Sequence, residues 1–219
     1  MSKLAVFDCD GTLVDSQADI FWAMTQAFER AEQPLPDAGM VRRIVGLSLP
    51  VAILKLAPDL REEDRNAIAI LYKSAFRKRR EKGQLLEPLF DGIGKLLHDL
   101  TANGWKLAVA TGKSSRGLDA VLDHHGLTDL FVSLQTADHH PSKPHPAMLE
   151  AALLELGIAA DNAVMIGDTS FDMEMARSAQ VRAIGVAWGY HEAEDLNASG
   201  ADIIARDVAH LGEILEATA

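Results

Sequence analysis

The 219-residue chain is 48% apolar and 24% charged, ordinary for a globular protein with a sizeable core, and its net charge is −11. That charge excludes a nucleic-acid surface, which needs a basic stripe, but not a phosphorylated small molecule, because a metal and a lysine can reverse the field inside one cleft. The single cysteine, Cys9, excludes an intramolecular disulfide; no signal peptide follows Lys3; and the longest stretch free of Asp, Glu, Lys and Arg, Ile44 to Leu54, is too short to span a bilayer. A cytoplasmic protein with no membrane partner is expected.

Leu4 to Phe7 reads as a strand buried on both faces. It runs into Asp8-Cys9-Asp10-Gly11-Thr12. Ser16 to Gln33 predicts a helix, with Ser16 as N-cap and Asp19 three residues on, ended by Pro34 and Pro36. Shorter helices are predicted around Ala38–Val45 and Leu49–Leu56, and a long one from Arg61 to Glu81, closed by Gly83. No strand is readable between residues 16 and 84.

From there the pattern changes. Strands read at Lys106–Ala110, Leu130–Thr136, Ala163–Ile166, Val181–Val186 and Asp202–Ala205. Helices fall near Gly92–Asn103, Ser115–His125, Pro146–Leu156, Phe171–Ala179 and Val208–Glu216. Alternating βα units predict a parallel sheet. The expected class is α/β: a Rossmann-like core with helices on both faces, from residues 1–15 and 85–219, carrying an inserted all-helical cap of residues 16–84.

In such sheets ligands bind beyond the carboxyl ends of the strands. Here those ends carry Asp8-Cys9-Asp10-Gly11-Thr12, Thr111-Gly112-Lys113, Ser142-Lys143-Pro144 and Gly167-Asp168-Thr169-Ser170-Phe171-Asp172. Carboxylates where a buried strand ends survive only with a partner, and the usual partner is a metal ion. The convergence points to Mg²⁺-assisted chemistry on an anionic substrate.

With all four segments in order, the chain resembles the haloacid dehalogenase-like superfamily, in its phosphoglycolate phosphatase-like branch with a helical cap; Trp188-Gly189-Tyr190-His191 resembles the same group. The resemblance implies an aspartyl-phosphate on Asp8, with Asp10 as general acid and base and Lys143 neutralising charge. It implies Mg²⁺ held by the Asp8 and Asp168 carboxylates and the Asp10 backbone carbonyl. It places Asp172 behind them, orienting Lys143 or a metal-bound water. Thr111, the Gly112 amide and Thr12 are expected at the phosphate. Many relatives have Asn where Gly112 stands, so a side-chain contact to substrate is missing.

The expected activity is Mg²⁺-dependent hydrolysis of a small phosphorylated metabolite, phosphoglycolate-like or a sugar phosphate. Two alternatives are a phosphotransferase or mutase of the β-phosphoglucomutase type, and a non-catalytic phosphometabolite-binding protein. Gly46-Leu47-Ser48 interrupts the helical cap pattern and is expected to face the site, with Arg43 and Ser48 reading the leaving group. Cys9 is expected to be a small buried hydrophobe. The spacing of His124-His125, His139-His140 and His145 matches no common zinc site, and His139 or His140 is a candidate substrate contact. The basic run Arg77 to Arg80 suits a helix C-terminus.

Overall fold

The computed structural model describes residues 3–217. Six strands, β1 (Lys3–Phe7), β2 (Trp105–Thr111), β3 (Phe131–Thr136), β4 (Ala163–Gly167), β5 (Arg182–Val186) and β6 (Ile203–Ala205), form one sheet in the order β3-β2-β1-β4-β5-β6. Every pairing is parallel. β1 is central, buried along Leu4 to Phe7, because its side chains pack on both faces. Ala5 and Phe7 enter one apolar cluster, Leu4 and Val6 the other.

Helices α5 (Ile93–Ala102), α6 (Ser115–His124), α7 (Ala147–Leu156), α8 (Ser170–Ser178), α9 (Ala193–Ala198) and α10 (Val208–Ala217) cover the faces. Leu97 of α5 and Leu118 of α6 join the cluster of Phe7; Met148 of α7 and Met173 of α8 join that of Leu4. The short α9 has no counterpart in the sequence reading. The others lie within a few residues of expectation.

Between β1 and α5 the chain forms only helices: α1 (Gln17–Arg30), α2 (Ala38–Ile44), α3 (Leu49–Leu56) and α4 (Glu62–Glu81). They share their own apolar cluster, including Ile20, Met24, Phe28, Ile53 and Ile68. The two chain crossings that reach this insert are paired with each other. Val14 bridges Leu89 in antiparallel fashion, the Asp15 amide donates to the Pro88 carbonyl (2.8 Å) and the Phe90 amide to the Leu13 carbonyl (3.1 Å).

Ser16 does not cap α1 as expected. It precedes the helix with φ −106° and ψ 5° and makes no side-chain cap bond. Its Oγ instead donates to Asp10 Oδ1 at 2.6 Å. No described helix is long and apolar enough to cross a membrane.

Candidate active site

Because the strands are parallel, the segments following β1, β2 and β4 reach one edge of the sheet, joined there by the loop after β3. Asp8 leaves β1 with both oxygens turned into the protein. Oδ1 accepts from the Cys9 amide (2.6 Å); Oδ2 lies 3.0 Å from Lys143 Nζ yet receives no hydrogen bond. Lys143 is 1% exposed and donates to Asp172 Oδ1 at 2.6 Å. The other oxygen of Asp172 accepts from the amide and hydroxyl of Thr169, closing a capping box at the start of α8.

Two donors grip the Asp168 carboxylate. Its Oδ1 accepts from Thr12 Oγ1 (2.8 Å) and its Oδ2 from the Tyr190 amide (2.9 Å). A Cβ on Gly11 or on Gly189 would run into its carboxylate, so both positions need glycine; Gly11 also has φ +88°. Thr12, expected at the phosphate, is fully buried, and its hydroxyl donates to Asp168.

Carboxylate oxygens of Asp8, Asp168 and Asp172 lie within 4.8 Å of one another, all buried. Burial raises the Asp8 carboxyl to about 7, Lys143 offsetting only part of the effect, and burial with Asp8 as neighbour pushes Asp168 well up. Burial opposes the charge of Lys143, but Asp172 and Asp8 outweigh it and raise the ammonium. Three carboxylates against one ammonium leave excess negative charge in a dry site. A divalent cation fits that imbalance, and an all-oxygen set, with an Asp8 Oδ2 that accepts no hydrogen bond, suits a hard one. Each of the three already has a protein neighbour, Lys143 at Asp8 and Asp172, Thr12 and the Tyr190 amide at Asp168, and each could offer an oxygen to a metal.

Asp10 stands outside this cluster. Its Oδ1 accepts from Ser16 Oγ and from Lys113 Nζ, both at 2.6 Å, while Oδ2 takes neither bond. Lys113 also bonds Glu87 Oε1 (2.9 Å), and Arg80 of α4 pairs with Glu87 Oε2 (3.2 Å). From the sequence, Ser16 is expected only as a helix cap, and no site role is expected for Glu87 or Lys113. The available signal was the position of Lys113, directly after the strand-end Thr111-Gly112.

The insert lies down on this edge. A Cβ on Gly112 would fall on the carbonyl oxygens of Gly46 and Leu47, 2.7 Å from the latter, and a Cβ on Gly46 would meet Thr169 Oγ1 at 3.1 Å. The Ser48 amide donates to Ser142 Oγ at 2.9 Å. Gly46 and Leu47 line the cavity beside Asp10, whereas Arg43 and Ser48 do not. Arg43 is exposed and its carbonyl faces His191 Nε2 (3.2 Å). His140 bonds Gln135, and neither His139 nor His140 lines the cavity. Burial, with Asp10 next, pushes the Cys9 thiol up, so it stays protonated in the core.

A family model described as haloacid dehalogenase-like hydrolase matches residues 5–186. The chain belongs to that family. Within it, the phosphoglycolate phosphatase-like branch is the one its relatives occupy. This hydrolase is 35% identical over 206 residues to the Dickeya dadantii protein IndB, named a probable phosphatase, covering 93% of this chain and 89% of that one. It is 29% identical to a phosphoglycolate phosphatase of Vibrio parahaemolyticus, covering 99% and 97%. A solved haloacid dehalogenase-like hydrolase of Streptococcus pneumoniae superposes with a TM-score of 0.83 at 28% identity, covering 100% and 99%. Like these relatives, the family member described here is a phosphoric monoester hydrolase.

Proposed function

We propose that this chain is a Mg²⁺-dependent phosphatase that hydrolyses a small phosphorylated metabolite through an aspartyl-phosphate on Asp8. The observation that carries the reading is the separation of the two carboxylates of one strand end. Asp8 belongs to the buried cluster with Asp168 and Lys143, whereas Asp10 is turned to the cavity and held by Ser16 and Lys113.

That separation divides the labour. Asp8 Oδ2, which accepts no hydrogen bond, attacks phosphorus while the bond to the leaving oxygen breaks. Asp10 gives that oxygen a proton, then takes one from the water that attacks the aspartyl-phosphate, releasing phosphate and restoring both carboxyl groups. Lys143 offsets the charge passing through Asp8, and Asp172 keeps its ammonium in place. Thr111, 1% exposed at the end of β2, and the Gly112 amide face the phosphoryl group. Asp8, Asp168 and the Asp10 carbonyl would hold Mg²⁺, which when bound offsets charge on the phosphoryl oxygens.

Residues 16–84 act as a cap that excludes water and selects the leaving group, with 1–15 and 85–219 as the core; the support is the packing of the Gly46–Leu47 loop against Gly112. The test is phosphate release from p-nitrophenyl phosphate and a metabolite panel, with and without Mg²⁺. Asp8→Asn should abolish it, and surviving activity in that variant would overturn the mechanism.

A further inference from the structure

A cavity of about 690 Å³ opens from Asp10, Thr111 and Gly112 into the insert. That volume is in the range of sites for ligands of drug size, far more than a two-carbon leaving group fills. Since Asp10 serves the leaving oxygen, the space beyond it is where the rest of the leaving group lies.

The walls of that space are mainly apolar, with Ile20 and Met24 of α1, Val45 and Leu47 of the loop after α2, Leu49 of α3 and Phe76 of α4, interrupted by Tyr72, Ser74 and Ser114. The charged groups nearest Asp10 are already matched. Lys113 is bound by Asp10 and Glu87, and Arg80 by Glu87. The remaining cations of the lining, Lys73, Arg77 and Arg116, belong to exposed residues, and Arg77 already faces Glu81 Oε1 at 3.9 Å. A carboxylate two carbons from the phosphate would therefore lose water beside cations, Lys113 and Arg80, that are already paired. A hydrocarbon body of the same attachment gains from burial.

We propose that the preferred ester carries an extended apolar leaving group, of about six carbons or more, rather than a compact anionic one such as glycolate. This rests on the phosphatase reading above.

The test is a series of ethyl, butyl, hexyl and octyl phosphates alongside phosphoglycolate, with Mg²⁺ present. Alkyl leaving groups differ little in basicity, so the series isolates burial. Burial of each methylene should raise kcat/KM by about three- to fourfold until the cavity is filled, with phosphoglycolate below hexyl phosphate. Leu49→Asp should bring the hexyl-to-ethyl ratio toward one. Leu49 is only half-buried, and Leu49→Ser serves if the aspartate variant does not fold. A flat series, faster turnover of phosphoglycolate than of hexyl phosphate, or an unaltered ratio in a folded Leu49 variant overturns the inference and leaves the phosphatase standing. No phosphate release from any ester, p-nitrophenyl phosphate included, overturns both.

Discussion

Lys113 holds Asp10: its Nζ lies 2.6 Å from Asp10 Oδ1, and the same ammonium reaches Glu87 Oε1 at 2.9 Å. Burial works against its charge, but Asp10 and Glu87 outweigh it and keep the ammonium well above its ordinary value. Through Glu87 and Arg80 the chain of charges runs from the candidate acid to the last helix of the insert.

Removing the central cation should leave two facing carboxylates, each largely buried. Lys113→Met is expected to cost about 3–5 kcal/mol of stability, read by urea unfolding. Lys113→Met with Glu87→Gln should recover part of it, because one of the stranded charges is gone. Equal stability of the single and double variants would refute the coupling.

Asp8 sets a pH dependence of the metal-free protein. Its folded value of about 7 lies above the ordinary 3.8, so the folded state binds the extra proton between those limits. That contribution is full below about pH 4 and is lost as pH rises through about 7. Without divalent ions, Tm should fall from pH 5 to pH 8, and Asp8→Asn should make the fall shallower, the raised Asp168 carboxyl supplying the remainder. Mg²⁺ should raise Tm more at pH 8 than at pH 5, checked by thermal scans with and without chelator.

Thr12 is expected to act through Asp168. Thr12→Val removes one of the two donors on that carboxylate. The Mg²⁺ concentration for half-maximal activity should rise about 10–100-fold, with kcat at saturating Mg²⁺ much less affected. A loss of kcat at unchanged Mg²⁺ dependence would instead support a phosphate contact.

Gly112→Asn should wedge the insert away from the core, since even a Cβ there meets the Gly46 and Leu47 carbonyls. Misplacing the loop by about 1 Å should lower kcat/KM by about 10²-fold. Gly112→Ala should already show part of the loss, measured on p-nitrophenyl phosphate.

The sheet was legible because β1, β2 and β4 are apolar on both faces and each ends in a polar, glycine-containing turn. α9 was not, having six residues with Leu196 as its buried one, too little for a periodic pattern. The site divides along the same line. Asp8, Lys143, Asp168 and Asp172 follow strands, and the parallel sheet alone brings them together. Lys113 and Glu87 are 26 residues apart, and their pairing depends on how the insert returns to the core. Ser16 was readable as a cap residue by type, but the backbone enters α1 at an angle that hands its hydroxyl to Asp10. The bond from Thr12 to Asp168 was not readable, because sequence order hides that the two are neighbours.

The hydrogen-bonded crossings at Val14 and Leu89 have a mechanical consequence. Outgoing and returning chain form a single ribbon, so the insert is carried on one stiff stalk instead of two independent tethers. Asp10, Gly11 and Thr12 stand at the foot of that stalk, where Asp10 is itself bridged to Val14. On the proposed roles, a swing of the insert would move the same few residues that place the acid, so that opening the cavity and displacing Asp10 would be one movement.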